Sequence, residues 1–159
     1  MIRICFVCLG NICRSPTAEG IMQHLVAQRD LGDAITIDSA GTSAWHEGEK
    51  ADPRTREVAN QRGVPLTSRS RQFKAKDFAN FEYVVAMDQS NLNNLRAMAK
   101  PGDESKLVML RAFDPATPEG PDVPDPYYGG PSGFDDVYDI CQAACEGFLE
   151  HLQRQHGLG

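Results

Sequence analysis

Residues 2–7 form an apolar run that ends at a short polar loop, and a helical pattern begins directly after that loop. The run consists of Ile-Arg-Ile-Cys-Phe-Val, which predicts a buried β-strand. Pro16 suits the first position of a helix, where its missing N–H costs no hydrogen bond, and Ser15 is then the expected N-cap. A strand that passes through one short loop into a helix is typical of α/β proteins.

The same alternation continues along the chain. Strands are expected at residues 35–39, 82–87 and 106–110, and helices at residues 18–26, 53–60 and 92–98 and from Gly133 onward. Alternating strands and helices predict a mostly parallel sheet with helices on both faces. Ligands bind such sheets beyond the carboxyl ends of the strands, where the loop after residue 7 is expected.

The composition of the 159 residues is that of a globular protein, and we expect one domain over residues 1–159. A net charge of −6 argues against nucleic-acid binding. The sequence has no apolar stretch near the roughly 18 residues of a membrane span and no signal-peptide pattern, so we expect a cytoplasmic protein with no membrane association. Five cysteines are an odd number, which excludes a complete disulfide framework and suits a reducing compartment.

The loop after the first strand carries a cysteine and an arginine six residues apart. The thiolate is the nucleophilic form of cysteine, and helix N-termini and nearby cations stabilise it. Arg14 has a planar fork that can hold two oxygens of a phosphate, so the spacing predicts covalent phosphoryl transfer by Cys8. Gly10 allows close approach of the backbone to a ligand, Asn11 tolerates left-handed geometry, and Ser15 is placed to donate a hydrogen bond to the sulfur.

One long irregular stretch, residues 114–131, follows the fourth expected strand, and loops of this length are often functional. A leaving oxygen needs a proton, and the stretch offers three aspartates as its source: Asp114, Asp122 and Asp125. We favour Asp125, because Pro126 stiffens its backbone and two tyrosines, Tyr127 and Tyr128, supply flat aromatic surface directly after it.

The motifs quoted above resemble the low-molecular-weight protein tyrosine phosphatase family. Residues 7–16 match its signature V-C-x-G-N-I-C-R-S-P throughout, and residues 125–129 match D-P-Y-Y-G. The resemblance covers essentially the whole chain. It implies a flavodoxin-like three-layer sandwich, with a four-stranded parallel sheet in the order 2-1-3-4. It also implies Cys8 as nucleophile, Arg14 as phosphate ligand and Asp125 as general acid, with a phosphate-binding loop completed by Leu9, Gly10, Asn11, Ile12, Cys13 and Ser15.

The resemblance also implies a substrate. Trp45 stands where the family often has one aromatic wall of the cleft, and Tyr127 and Tyr128 would form the other. Relatives that prefer phosphoarginine carry Thr at the position of Ile12, so Ile12 favours phosphotyrosine in a protein or peptide. The implied enzyme needs no metal or cofactor, is inhibited by phosphate-like oxyanions, and is a monomer or weak homodimer. Ser68 departs from the histidine that many relatives carry there, which leaves open how Asn11 and Ser15 are braced.

The sequence also allows other interpretations. A thiol oxidoreductase, such as an arsenate reductase, would need a further cysteine pair, and no cysteine lies between Cys13 and Cys141. A phosphate-binding module without turnover and a metal site of Cys5, Cys8 and Cys13 are the others, although a strand and a tight loop make a poor tetrahedron. Cys13 either supports the loop or forms a disulfide with Cys8 on oxidation. The four histidines show no ligand spacing, and Asp88 either braces the loop or caps a helix.

Overall fold

Four parallel strands form the only sheet in the part of the chain described by the computed structural model, namely residues 1–117, 119–126, 130 and 132–159. They are β1 (Ile2–Cys8), β2 (Ile35–Gly41), β3 (Tyr83–Ala86) and β4 (Leu107–Met109). Their order is β2-β1-β3-β4 and all neighbours are parallel. The sheet order and the parallel pairing predicted above are therefore confirmed.

The helices that follow the strands are α1 (Arg14–Gln28), α2 (Pro53–Gln61), α3 (Gln89–Met98) and α4 (Gly133–His156). Short 3₁₀ turns lie at Ala75–Asn80, Glu104–Lys106 and Leu110–Phe113. The expected cap of α1 is wrong. Helix α1 begins at Arg14 after Cys13, and Ser15 lies inside its first turn because its hydroxyl is hydrogen-bonded to the cysteine loop instead. Pro16 still costs no helical hydrogen bond, since the first N–H groups of a helix have no partner within it.

Alternating residues of β1 point to opposite faces of the sheet and into two separate cores. Ile4 and Phe6 pack on one face against α1 and α4, where Phe6 meets the ring of Phe148 edge-on at 6.3 Å. Cys5 and Val7 pack on the other face with α3 and the 3₁₀ turn Ala75–Asn80. Full burial of one such large side chain contributes about 1.5–3 kcal/mol, so both faces of the central strand stabilise the sheet. Cys5, Cys141 and Cys145 are fully buried, which confirms them as core residues.

The parallel register brings the carboxyl ends of the strands to one edge of the sheet. Cys8 at the end of β1 is paired with Gly41 at the end of β2, and Val7 is paired with Ala86 at the end of β3. The loops that follow these strands therefore emerge side by side, as the sequence led us to expect for a ligand site. No helix among the described residues has the length and apolar character needed to cross a bilayer.

Candidate active site

The phosphate loop, residues 8–15, folds around the sulfur of Cys8. The Sγ atom lies 3.0 Å from the hydroxyl of Ser15 and accepts a hydrogen bond from the backbone N–H of Asn11 at 3.3 Å. Cys8 is only 3% exposed, and the N-terminus of α1 begins on the same loop. The Asn11 N–H, the Ser15 hydroxyl and the positive end of a helix dipole therefore converge on one sulfur.

Asn11 holds the loop in shape from behind. Its φ of 57° is the left-handed conformation that asparagine tolerates, as predicted. Its Nδ2 donates to the Ser15 hydroxyl at 2.7 Å and to the Ser39 hydroxyl at 2.9 Å, and its Oδ1 accepts from the backbone N–H of Arg71. Asn11 and Ser15 are both buried and do not line the cleft, so they position the loop and leave ligand contact to other residues.

A buried carboxylate, Glu19, extends this network and was not foreseen from the sequence. Its Oε1 accepts a hydrogen bond of 2.6 Å from the Ser39 hydroxyl. Burial raises the pKa of Glu19 above its usual value, while the hydroxyls of Ser39 and Ser68 act in the opposite direction. Ser68 therefore interacts with Glu19 and not with Asn11. The side chain that holds Asn11 in place is Ser39. Glu19 is the one carboxylate in residues 14–28, and nothing in the sequence marks its partner Ser39, which lies 20 residues further along the chain.

Arg14 is held over the loop by two contacts from distant parts of the chain. Its Nη1 donates to Asp88 Oδ2 at 2.6 Å and to the carbonyl of Val123 at 3.1 Å. Burial lowers the pKa of the guanidinium, but the charges of Cys8, Asp88 and Asp125 outweigh it and leave that pKa raised. Asp88 Oδ1 also accepts a hydrogen bond from the N–H of Asn91, so the same carboxylate caps α3 and anchors Arg14. The sequence offered these two roles of Asp88 as alternatives, and the residue has both.

A cleft of about 150 Å³ opens above the sulfur. Asp125 lies on its wall, whereas the other two aspartates of the long segment do not: Asp114 closes a local turn and Asp122 binds the N–H of Gln89. The buried Val123 holds the Asp125 segment to the end of β3 through a 2.8 Å hydrogen bond to Met87. The cleft is lined by Cys8, Leu9, Gly10, Ile12, Cys13, Arg14, Ser43, Trp45, His46 and Asp125.

The aromatic side chains of the cleft are placed unequally. Trp45 lines it and is 86% exposed, so its ring stands at the rim. His46 lines it too, and its ring lies against Gly10, where an added Cβ would come within 3.1 Å of its Cδ2 atom. His46 was missed because nothing in the sequence separates it from the other histidines. The wall predicted from Tyr127 and Tyr128 falls on residues outside those the structure describes.

Residues 69–72 fasten the phosphate loop to the cleft loop, residues 42–50, which carries Trp45 and His46. The Ser70 hydroxyl donates to the Gly10 carbonyl at 2.9 Å. The backbone of Ser70 accepts from Gly48 N and donates to the Glu49 carbonyl, at 2.7 and 2.8 Å. A single buried serine therefore contacts both sides of the cleft. No sequence pattern marks it, since the three contacts join segments that are far apart in the chain.

Cys13 lines the cleft but is held in its neutral form. Burial raises its pKa to about 12, and nearby negative charge acts in the same direction. All five cysteines are free thiols in this structure. Cys5 faces the opposite core from Cys8, so these two with Cys13 do not form the metal site considered above. Among the described residues no three metal-ligating side chains come together.

The structure defines an α/β protein in which the loop between the first parallel strand and the first helix carries Cys8 and Arg14. Comparison with known proteins identifies its family. The family model described as low molecular weight phosphotyrosine protein phosphatase matches residues 3–157. A low molecular weight protein-tyrosine-phosphatase of Streptomyces coelicolor is 46% identical over 155 residues, which cover 96% of this chain and 94% of that protein. The chain therefore belongs to the low molecular weight phosphotyrosine protein phosphatase family and is an enzyme.

Solved structures agree with this assignment. A protein tyrosine phosphatase from Entamoeba histolytica has a TM-score of 0.93 at 40% identity and covers 98% of this chain and 99% of its own. An arginine phosphatase from Drosophila has a TM-score of 0.88 at 35% identity, with 96% of this chain and 98% of its own covered. The flavodoxin-like fold implied by the motifs is confirmed. The roles of the individual site residues are not tested by these comparisons and stay predictions.

Proposed function

We propose that this enzyme is a metal-independent phosphotyrosine phosphatase that works through a phosphocysteine. One observation carries the proposal: a sulfur that accepts a backbone hydrogen bond and contacts the Ser15 hydroxyl lies beneath a cleft that has a guanidinium and a carboxyl group on its walls. These are the three groups that phosphoryl transfer to a thiolate requires, namely a nucleophile, a stabiliser of charge on the phosphoryl oxygens and a proton donor.

In the first step the Cys8 thiolate attacks phosphorus in line with the leaving oxygen. The sulfur–phosphorus bond forms as the phosphorus–oxygen bond to the phenol breaks, and Asp125 gives its proton to the departing oxygen. Arg14 and the loop N–H groups hold the three remaining oxygens. Because Asp88 and Val123 engage only Nη1 of Arg14, its other terminal nitrogen is available to a phosphate oxygen. Fixed donors of this kind stabilise the transition state without reorganisation.

In the second step water attacks the phosphocysteine. Asp125, now ionised, accepts a proton from this water, the sulfur–phosphorus bond breaks, and inorganic phosphate leaves with the thiolate regenerated. Phosphate-like oxyanions should inhibit because they occupy the same cradle. The positive potential comes from Arg14 and backbone amides, so neither step requires a metal. Oxidation that links Cys8 to Cys13 would block the first step reversibly.

A phosphorylated tyrosine side chain in a protein suits the cleft better than phosphoserine. Its ring is long enough to place phosphorus above Cys8 while it contacts the Trp45 rim, whereas the shorter phosphoserine would leave phosphorus too shallow. Ile12 on the cleft wall presents an apolar surface that suits a phenyl ring. Phosphoarginine is the second candidate, because a structurally similar protein is an arginine phosphatase.

The test of the proposal is Cys8→Ser. With no thiolate, turnover of phosphotyrosine peptide should fall by more than about a thousandfold, the scale seen when a nucleophile is removed. The affinity for inorganic phosphate, measured by calorimetry, should remain because Arg14 and the loop amides are intact. Cys5→Ser, a buried thiol outside the cleft, is the control and should keep its activity. Phosphotyrosine turnover by Cys8→Ser close to that of the unaltered enzyme would refute the proposal.

A further inference from the structure

We propose that Lys50, Arg56 and Arg69 form an anion-binding site beside the cleft, and that this site takes an acidic segment of the substrate protein. The inference rests on the proposed function, because it concerns a substrate held in the same cleft. It adds a second point of contact, outside the phosphotyrosine itself, that selects among phosphoproteins.

Three cationic side chains converge on one cavity of about 250 Å³. Thr67 adds a hydroxyl and Leu66 an apolar floor, which packs against Gly20 of α1. The chain as a whole carries a net charge of −6, so this local excess of positive charge opposes the average of the surface. A cavity of this size has room for a carboxylate or phosphate group and several waters, each of which occupies about 30 Å³.

Two of the three cationic side chains are hydrogen-bonded to backbone carbonyls. Arg56 Nε donates to the Ala51 carbonyl at 2.9 Å, and Arg69 Nη1 donates to the Gly48 carbonyl at 3.0 Å. These bonds fix the guanidinium groups but leave other N–H donors of each fork for a ligand. A preorganised fork loses less side-chain entropy when it binds an anion than a freely moving one does.

None of these three side chains forms an ion pair with a carboxylate in the part of the chain that the structure describes. Five of the other nine arginines are neutralised in this way: Arg3, Arg14, Arg54, Arg62 and Arg71. The acidic residues closest along the chain are Glu49, Asp52 and Glu57, and none of them lines the cavity. The Glu49 carboxylate is bound to the ring of His46 at 2.9 Å, and that of Asp52 to Arg54 at 3.0 Å. The cavity therefore collects positive charge that the protein itself does not neutralise.

The site and the cleft share one loop, residues 42–50, which supplies Trp45 to the cleft and Lys50 to the site. Lys50 ends the cleft loop five residues after Trp45, so their Cα atoms are at most about 18 Å apart. Lys50 also pairs with Arg69 in an antiparallel bridge. The next residues return to the phosphate loop, where Asp52 N donates to the Ile12 carbonyl at 2.8 Å. An extended peptide with its phosphotyrosine in the cleft can span that distance with about five residues.

An acidic segment fits the site better than a free anion does. Lys50, Thr67 and Arg69 are exposed, and single contacts to exposed cations are screened and weak. A segment joined to a phosphotyrosine already in the cleft binds at high effective concentration, so weak contacts then count. The site should therefore raise kcat/KM for acidic peptide and protein substrates and leave kcat/KM for a small aryl phosphate unchanged.

The experiment compares two phosphotyrosine peptides, one with six glutamates on each side of the phosphotyrosine and one with glutamines in their place. The patch variant is Lys50→Gln/Arg56→Gln/Arg69→Gln. The matched control, Lys100→Gln/Arg96→Gln/Arg154→Gln, changes net charge equally at exposed cations elsewhere. We expect the acidic-to-neutral ratio of kcat/KM to be about tenfold lower for the patch variant than for the control, which is about 1.4 kcal/mol. The difference should vanish near 1 M salt, where the screening length is about 3 Å.

Equal ratios for the patch and control variants at low salt would overturn the proposal. Turnover of nitrophenyl phosphate depends on the cleft alone. If the unaltered enzyme does not hydrolyse this ester, the result contradicts the proposed function and not the anion-binding site. Arg69→Gln alone replaces the triple variant if that protein does not fold, and it should lower the ratio about twofold, one third of the effect in free energy.

Discussion

At the scale of single residues, the site depends on side chains that each serve two groups. Asp88 caps α3 and anchors Arg14, and Ser15 contacts both the Cys8 sulfur and Asn11. Such sharing fixes the loop before any ligand arrives, because moving one side chain breaks contacts to two others. Preorganised donors of this kind are the main source of electrostatic catalysis.

Asp125 is the residue whose role has the sharpest test. Asp125→Asn removes the proton donor, so kcat/KM for phenyl phosphate should fall by about 100-fold or more, in the usual range for a general acid. Nitrophenolate leaves without a proton, so kcat/KM for nitrophenyl phosphate should fall less than about tenfold. Steady-state kinetics on the two esters gives the comparison.

Asp122→Asn is the control for that pair of substrates. Asp122 lies in the same segment but not on the cleft, and an asparagine oxygen still accepts from Gln89. Both esters should react with it as they do with the unaltered enzyme. Equal slowing of the two esters by Asp125→Asn would remove Asp125 from the role of general acid.

The loop of residues 8–15 was predictable from the sequence because its eight residues are consecutive and form one motif. Glu19, Ser39 and Ser70 were not, because each acts through a partner on another element: Ser39 is 28 residues from Asn11, and Ser70 is 60 residues from Gly10. A polar residue on a helix or strand carries no local sign of such a contact. Only the sheet register brings these side chains together.

At the scale of elements, the close contact between α4 and the turn Leu110–Phe113 depends on one glycine. A Cβ added at Gly147 would collide with the Phe113 carbonyl, whose carbon would lie at 2.9 Å. Phe113 also stacks on Phe148 with ring centroids 4.6 Å apart, so the turn has little room to move. The glycine is therefore required by packing, although alanine is the better helix former.

Gly147→Ala should lower the free energy of unfolding by about 2–3 kcal/mol, the scale of overpacking a core. The better helix propensity of alanine recovers only about 1 kcal/mol. Urea denaturation measures the change. Gly32→Ala is the control, since an added Cβ there meets nothing within 4 Å, and it should change stability little. A Gly147→Ala protein as stable as the unaltered one would contradict the close packing of α4 on this turn.

Periodicity predicted the four strands and four helices of the described residues, but not the start of the first helix. The apolar spacing that marks an element is set by its buried face, and that face is long in β1, α1 and α4. The start of α1 is set instead by hydrogen bonds. The Ser15 hydroxyl is hydrogen-bonded to Cys8 and Asn11 and therefore does not cap the helix. Competition between a cap and a functional contact is not visible in a sequence.

At the scale of the whole molecule, an ion pair joins the first strand to the chain before β3. Arg3 Nη2 and Nε donate to the two carboxylate oxygens of Glu82, at 2.7 and 3.1 Å, and the Arg3 N–H donates to the same group. The hydrogen bond from the Arg3 side chain is the main reason that the pKa of Glu82 falls to about 2. Both side chains are more than one third exposed, so solvent screens much of the interaction.

Glu82→Gln tests this contact through pH. Because the folded-state pKa lies below the usual value near 4.5, the stabilisation is present above that pH and is lost as pH falls towards 2. Glu82→Gln should therefore lower the free energy of unfolding by about 1 kcal/mol at pH 7 and have almost no effect near pH 2. Urea denaturation at several pH values measures this. Glu150→Gln, an exposed residue of α4, is the control. A loss that is the same at every pH would contradict the ion pair.

The parallel sheet gathers loops from distant parts of the chain at one edge, and the proposed chemistry depends on that edge. The central step of the proposed mechanism is transfer of the phosphoryl group to the Cys8 sulfur. Asp125→Asn with nitrophenyl phosphate should slow hydrolysis of the phosphoenzyme more than its formation, because Asp125 also accepts the proton from water in the second step. The covalent intermediate should then accumulate.

The most direct measurement is a rapid denaturing quench of that reaction, followed by peptide mass spectrometry. We expect the phosphoryl group on the peptide that contains Cys8, and no label when Cys8→Ser is combined with Asp125→Asn. A label on any other residue would contradict a mechanism through Cys8, as would steady turnover of nitrophenyl phosphate by the double variant.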